Sequence, residues 1–189
     1  MVDDARLLER ARRGDEHAFS QLFDAHQRSI FRYAAYMCGA DAADDVVQDT
    51  FLAVLRQSSR HDMPAGTIGG YLFGIARHLV LKRLGVRREE LVEDIEMVAD
   101  ALVAEDARVL DDLGRAETIE TVRTAVRSLA PAYREVIVLC ELQEMDYAEA
   151  AALIECPIGT VRSRLHRARA MLMTKLAQSP LRQELEVRR

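Results

Sequence analysis

The sequence predicts an all-α protein, with two small helical domains joined by an acidic flexible linker. Apolar residues recur at spacings of three and four through most of the chain, which is the repeat of amphipathic helices. Only four prolines and nine glycines interrupt its 189 residues, and aromatic residues make up just 5%. Ala, Leu, Val, Arg and Glu dominate the composition, which favours helices because unbranched side chains lose little rotamer freedom there. These features place the domains at residues 1–90 and 118–189, with the linker at 91–117.

Composition argues against several classes of protein. No apolar run approaches the roughly 20 residues that a membrane-spanning helix needs, so we expect no direct membrane insertion. The three cysteines, Cys38, Cys140 and Cys156, form no C-x-x-C pair, and the five histidines are scattered. We therefore expect a cytoplasmic protein with reduced thiols, no cofactor, no metal site and no catalytic centre.

The first domain opens with two helices separated near Gly14. Asp3 or Asp4 can cap the first helix, and Asp15 can cap the second, because their carboxylates accept hydrogen bonds from free backbone N–H groups. Gly39 is placed to end the second helix. The apolar face of this second helix comprises Phe19, Leu22, Phe23, Ile30, Phe31, Ala34 and Met37.

Two further segments complete the first domain. "DAADDVVQDTFLAVLRQ", from Asp41 to Gln57, predicts a helix with its polar face at Asp45, Gln48 and Asp49. A loop rich in Gly, Pro and Ser follows. "YLFGIARHLVLKRLGVRR" then resumes helical spacing and has no acidic residue. The expected buried stripes are Ala43, Val46, Val47, Thr50, Phe51, Val54 and Leu55 in the first segment and Leu72, Ile75, Ala76 and Leu79 in the second.

The linker differs from both domains in charge. From Glu89 to Glu120 there are twelve carboxylates and two arginines, a net charge of −10 in a chain whose formal net charge is −5. Such a segment favours a solvated chain over a packed domain.

The second domain contains a candidate helix-turn-helix. "DYAEAAALI" and "IGTVRSRLHRARAMLMTKL" are short helical segments joined by about four residues, the spacing of that motif. In the second segment Val161, Leu165, Ala168 and Leu172 repeat at four, three and four, which predicts the buried side. The opposite side then carries basic and polar groups suited to a major groove. A basic helix that is merely solvated is the alternative interpretation.

The motifs together resemble a known family, the extracytoplasmic-function (ECF) sigma factors of bacteria. "LAPAYREVIVLCELQEMDYAEAAALIECPIGTVRSRLHRARAML" is similar to region 4 of that family. "DAADDVVQDTFLAVLRQ" resembles region 2.2, and "YLFGIARHLVLKRLGVRR" resembles regions 2.3 and 2.4. The order and spacing match over nearly the whole chain, except for the linker.

The resemblance implies a transcription initiation factor that is not an enzyme. Its partners would be core RNA polymerase, through the β′ clamp helices and the β flap, promoter DNA, and an anti-sigma factor that holds it inactive, in some cases near the membrane. The linker would run toward the polymerase active centre and RNA exit path. By position in region 2.2, polymerase contacts fall on Asp45, Gln48, Asp49 and Phe51. Simple helix solvation for the carboxylates, and a core role for Phe51, are the alternatives.

The resemblance also assigns two DNA-reading helices. Tyr71 would stack on an unpaired base of the −10 element, or else be a core aromatic, and arginines near it would hold phosphates. The family usually has Trp at the position of Tyr71 and Asn at that of His78, and its members often have a basic residue at that of Cys140. The implied −10 contacts are Tyr71, Arg77, His78, Lys82, Arg83, Arg87 and Arg88, and the implied −35 contacts are Thr160, Arg162, Ser163, His166, Arg167 and Arg169.

Two other functions compete with this interpretation. A sigma-like decoy would bind an anti-sigma factor without binding DNA, but it should lack the basic groove-facing residues that this chain keeps. A stand-alone helix-turn-helix regulator would never join polymerase, and the D-x-V-Q-D-x-F pattern from Asp45 to Phe51 argues against it.

Overall fold

The computed structural model describes residues 4–56, 67–86 and 115–178, and every regular element in these ranges is helical. The expected all-α fold is confirmed. The chain divides into two compact units, Met1–Arg88 and Glu89–Arg189. Most of the acidic linker falls in 87–114, outside the described residues, and the domain limits given above stay a prediction.

The described part of unit 1 contains four helices, and the second of them contacts the other three. The carboxylate of Asp15 caps this helix by accepting from the N–H groups of His17 and Ala18, and Gly39 ends it with a φ of 96°. A non-glycine residue would be strained at that φ. The helices are α1 (Asp4–Arg12), α2 (Glu16–Cys38), α3 (Ala40–Arg56) and α4 (Ile68–Leu84).

The core of unit 1 follows the predicted stripes closely in α3 and less closely in α4. All the predicted α3 positions are buried except Leu55, which is half-buried. In α4, Leu72 and Ala76 are buried as expected. Ile75 and Leu79 are half-buried, whereas Phe73 and Val80 are buried. Tyr33 of α2 meets Phe73 with ring centroids 5.7 Å apart.

Polar contacts fix α1 against the rest of unit 1. Arg12 Nε donates to the backbone oxygen of Val54 at 3.0 Å, which joins α1 to the end of α3. His26 Nε2 lies 2.9 Å from Asp4 Oδ2, joining α2 to α1. The first turn of α4 packs on the same histidine, since a Cβ added at Gly69 would lie 3.3 Å from His26 Cε1.

Unit 2 is built in the same way around its last helix. Its helices are α5 (Arg115–Arg127), α6 (Pro131–Ile137), α7 (Tyr147–Ile154) and α8 (Ile158–Ala177), with a single π-helical turn (Val138–Leu142) after α6. α8 contacts α5, α6 and α7. Pro131 occupies the first turn of α6, where its missing N–H leaves no helical hydrogen bond unmade.

The helix-turn-helix of unit 2 consists of α7, a three-residue turn and α8. Asp146 caps α7 through the N–H groups of Ala148 and Glu149. Glu155 ends α7 in the left-handed region at a φ of 55°, and the Cys156 N–H then bonds to Ala151 O. This tight turn brings Val161, Leu165 and Ala168 of α8 into the core at 1% exposure or less.

Candidate polymerase and promoter surfaces

An apolar groove crosses unit 1 between α2 and α3. Its volume is about 700 Å³, and Phe51 lies in its floor with a side chain 2% exposed. The Phe51 ring centroid lies 4.8 Å from that of Phe23 and 6.1 Å from that of Phe19. The remaining lining residues are Gln27, Arg28, Phe31, Asp44, Val47, Gln48, Leu52 and Leu55.

The groove presents a mixed surface that an amphipathic partner helix could cover. Leu52 is 38% exposed, which is high for a large aliphatic side chain. Gln48 and Asp44 add polar groups at one side, and Arg28 adds a positive charge. An apolar floor with a polar rim is the arrangement that helix-in-groove recognition uses.

The four residues expected to contact polymerase therefore separate into two pairs. Gln48 and Phe51 line the groove. Asp45 and Asp49 are exposed on α3 and face α4, where Arg83 Nη2 lies 3.6 Å from Asp45 Oδ2 and 3.3 Å from Asp49 Oδ2. Because these groups are partly solvated, the pairs contribute little to stability.

The expected −10 contacts differ in their exposure to solvent. Tyr71 is half-buried, whereas His78 and Lys82 are exposed, and all three lie along one side of α4. Arg77 is only 6% exposed and interacts with other residues of the chain. This burial runs against the expected phosphate contact of Arg77, because a phosphate ligand must reach solvent. Arg87 and Arg88 lie outside the described residues.

Most of the expected −35 contacts lie in the first three turns of α8. Arg162, Ser163 and His166 are exposed, and Thr160 and Arg167 are half-buried. The Ser163 hydroxyl donates to Thr160 O at 3.0 Å, within its own helix. Arg164, at 6% exposure, points inward and belongs to the core of unit 2.

Arg169, which follows the other expected −35 residues along α8, forms an ion pair with Glu141. Its Nε donates to Glu141 Oε1 at 3.1 Å, and its Nη2 donates to the same oxygen. Hydrogen bonds to Glu141 and to Tyr147 raise the pKa of Arg169 above its usual value. Sequence periodicity could not find this pair, because the two partners are 28 residues apart.

Cys140 lies beside that pair, at the position where the resemblance leads one to expect a basic residue. Its side chain is half-buried, and burial together with the negative charge of Glu141 raises the pKa of the thiol to about 11. Cys140 therefore stays a neutral thiol at physiological pH and supplies no charge to a DNA surface.

Two features define the class of protein at this point: a helical unit with an apolar docking groove, and a second unit whose helix-turn-helix presents basic side chains. Within the described residues no His, Cys, Asp and Glu groups form a metal-binding cluster. No helix there is long and apolar enough to span a bilayer. The arrangement is that of a DNA-binding factor that also docks on a protein.

Comparison with known proteins identifies the family. Residues 22–90 match the model of sigma-70 region 2, and residues 119–172 match that of sigma-70 region 4. The probable RNA polymerase sigma-C factor of Mycobacterium bovis is 32% identical over 178 residues, covering 86% of this chain and 85% of that protein. The chain belongs to the ECF sigma factors, which bind core RNA polymerase and direct transcription initiation.

Other relatives agree with this assignment. The ECF sigma-E factor of Salmonella typhimurium is 30% identical over 185 residues, covering 93% of this chain and 95% of its own. The structure of CnrH in complex with the cytosolic domain of CnrY superposes with a TM-score of 0.67 at 27% identity, covering 94% of this chain and 100% of CnrH. The structure of the sigma factor RpoE in complex with the anti-sigma factor NepR from Bartonella quintana gives a TM-score of 0.61 at 25% identity. The match covers 85% of this chain and 98% of that chain.

The raised pKa of Cys140 predicts slow alkylation of this thiol. A shift from 9.0 to about 11 lowers the thiolate fraction at pH 8 by about 100-fold, and the thiolate is the reactive form. Mass spectrometry of the folded chain treated with iodoacetamide should show the Cys140 rate still rising above pH 10. Alkylation after unfolding in urea is the control, and it should titrate as an ordinary thiol. A Cys140 rate that levels off below pH 10 in the folded chain would contradict the assignment.

Proposed function

We propose that the two units of this sigma factor divide promoter recognition between them. Unit 1 docks on core polymerase through the α2–α3 groove and holds the −10 element along α4. Unit 2 reads the −35 element as duplex DNA with α8. The observation that carries the proposal is the pairing, in one chain, of an apolar groove on region 2 with an outward basic face on region 4.

The polymerase surface in this proposal is the groove together with its polar rim. An amphipathic helix of polymerase would bury Leu52 and cover Phe51, while Gln48 would bond to polar groups at its edge. Asp45 and Asp49 would meet basic side chains beside the groove. The β′ clamp helices are the proposed partner for unit 1, and the β flap is the proposed partner for unit 2.

The promoter surface consists of the exposed residues of α4 and α8. Tyr71 would stack on a melted −10 base, and His78 and Lys82, seven and four residues further on, would contact the same strand. On α8, Arg162, Ser163, His166 and Arg167 would enter the major groove, with Thr160 near a phosphate. Binding energy alone would drive melting, so the protein needs no nucleotide hydrolysis and acts as a factor rather than an enzyme.

Control by an anti-sigma factor is part of the proposal. RpoE, with a TM-score of 0.61 against this chain, was solved with the anti-sigma factor NepR. A partner that covers the α2–α3 groove would compete directly with polymerase. We place the protein in the bacterial cytoplasm. It is held near the membrane if its anti-sigma factor is anchored in the membrane.

The polymerase surface predicts a strong effect of charge at Leu52. Leu52→Glu puts a carboxylate where an apolar partner must pack and removes about 1.5–3 kcal/mol of burial, so affinity for core polymerase should fall at least about tenfold. Ala53→Glu is the matched control, because Ala53 is exposed on the same helix but does not line the groove. Biolayer interferometry with immobilised core enzyme measures both variants. Equal binding by Leu52→Glu and the unmodified chain would refute the proposed groove.

The promoter surface predicts a loss of specificity at Arg167. Arg167→Ala should cost about 1–3 kcal/mol on a matched −35 duplex if the guanidinium bonds a base edge. Lys175→Ala, an exposed change in the last turn of α8, should leave affinity within about twofold. Fluorescence anisotropy with matched and scrambled duplexes gives both values. If Arg167→Ala lowers affinity equally on the two duplexes, Arg167 does not read bases.

A further inference from the structure

A single guanidinium joins two elements of unit 2. Arg169, in the second half of α8, bonds Glu141 of the π-helical turn through both Nε and Nη2. Tyr147, the first residue of α7, contributes with Glu141 to the raised pKa of Arg169. The π turn is therefore tied to the recognition helix at one side chain, and the start of α7 lies near that pair.

The position of Arg169 along α8 separates it from the groove-facing residues. It follows Ile158, where the helix begins, by eleven residues, which is about 17 Å at 1.5 Å per residue. Recognition helices contact base edges mainly with their N-terminal residues. Arg162 lies on the same side of α8 but one heptad earlier, within the first two turns.

The charge beside Arg169 also argues against a contact with DNA. Glu141 is exposed over 40% of its side chain, so its carboxylate would repel an approaching phosphate unless a cation neutralises it. The guanidinium does so, because it donates from both Nε and Nη2 to that carboxylate. No basic side chain stands at the neighbouring position, since Cys140 is neutral.

We propose that Arg169 is a positioning residue of the −35 reader and not a DNA ligand. By holding Glu141 it sets the rotation of α8 against the π turn, so that Arg162, Ser163 and Arg167 face the major groove. This role rests on the proposed function and replaces the contact that the family resemblance implied for Arg169.

Removing the negative charge at Glu141 gives opposite results under the two roles. If Arg169 were a phosphate ligand restrained by Glu141, Glu141→Gln would release it, strengthen DNA binding and steepen the dependence on salt. As a positioning residue, Arg169 loses its anchor in Glu141→Gln. Affinity for the −35 duplex should then fall about fivefold, with the slope of log affinity against log salt unchanged.

Exchanging the two charges tests the pair directly. Arg169→Glu alone should weaken −35 binding at least about tenfold, and Arg169→Glu combined with Glu141→Arg should return it to within about twofold of the unmodified protein. The control pairs Arg162→Glu with Glu141→Arg, which should stay weak because Arg162 is a proposed DNA ligand. Arg162→Gln should lower the salt slope by about 1, whereas Arg169→Gln should leave it unchanged.

The experiment uses the full chain assembled with core polymerase and a −35 duplex that the unmodified holoenzyme has selected from a random pool. Thermal unfolding of each variant checks that the fold persists. Stronger binding by Glu141→Gln, or an exchanged pair as weak as Arg169→Glu, would overturn the positioning role while leaving the proposed function intact. If the unmodified holoenzyme selects no duplex, the proposed function fails, and the inference that rests on it fails as well.

Discussion

Burial of one apolar stripe on one long helix is the constraint on which each unit depends. Among the described α-helices, α2 contacts the other three of unit 1 and α8 contacts the other three of unit 2. Once Val161, Leu165 and Ala168 enter the core, the opposite side of α8 must face outward, since side chains three and four apart share a face. The DNA-reading face is thus a consequence of packing.

The basic residues of the two units have different roles, because some are buried and others are paired with carboxylates. Arg77 and Arg164 are drawn into the two cores, and Arg83 and Arg169 are held by carboxylates of neighbouring elements. Arg162 is exposed and Arg167 is half-buried, and both lie within the first three turns of α8. A helix that is rich in arginine therefore offers DNA fewer cations than its composition indicates.

Periodicity alone predicted the helical fold, the buried stripe of α3 and the helix-turn-helix, because these depend on residues close together in the chain. It could not predict which arginines pair, since Arg83 and Asp49 are 34 residues apart and Arg169 and Glu141 are 28 apart. The groove was also missed, because its walls come from two helices. One signal was available in the sequence. Asp44, Gln48 and Leu52 follow one another at intervals of four residues, so Leu52 places an apolar side chain on the same face of α3 as two polar ones.

The central claim is that this chain alone confers promoter specificity on core polymerase. The most direct test is run-off transcription with purified core enzyme, the purified protein and a library of promoter sequences, with no other sigma factor present. Transcripts should start from a subset of templates that share −35 and −10 elements at fixed spacing. Absence of transcripts under conditions where a second, known sigma factor yields them with the same core enzyme would contradict the account.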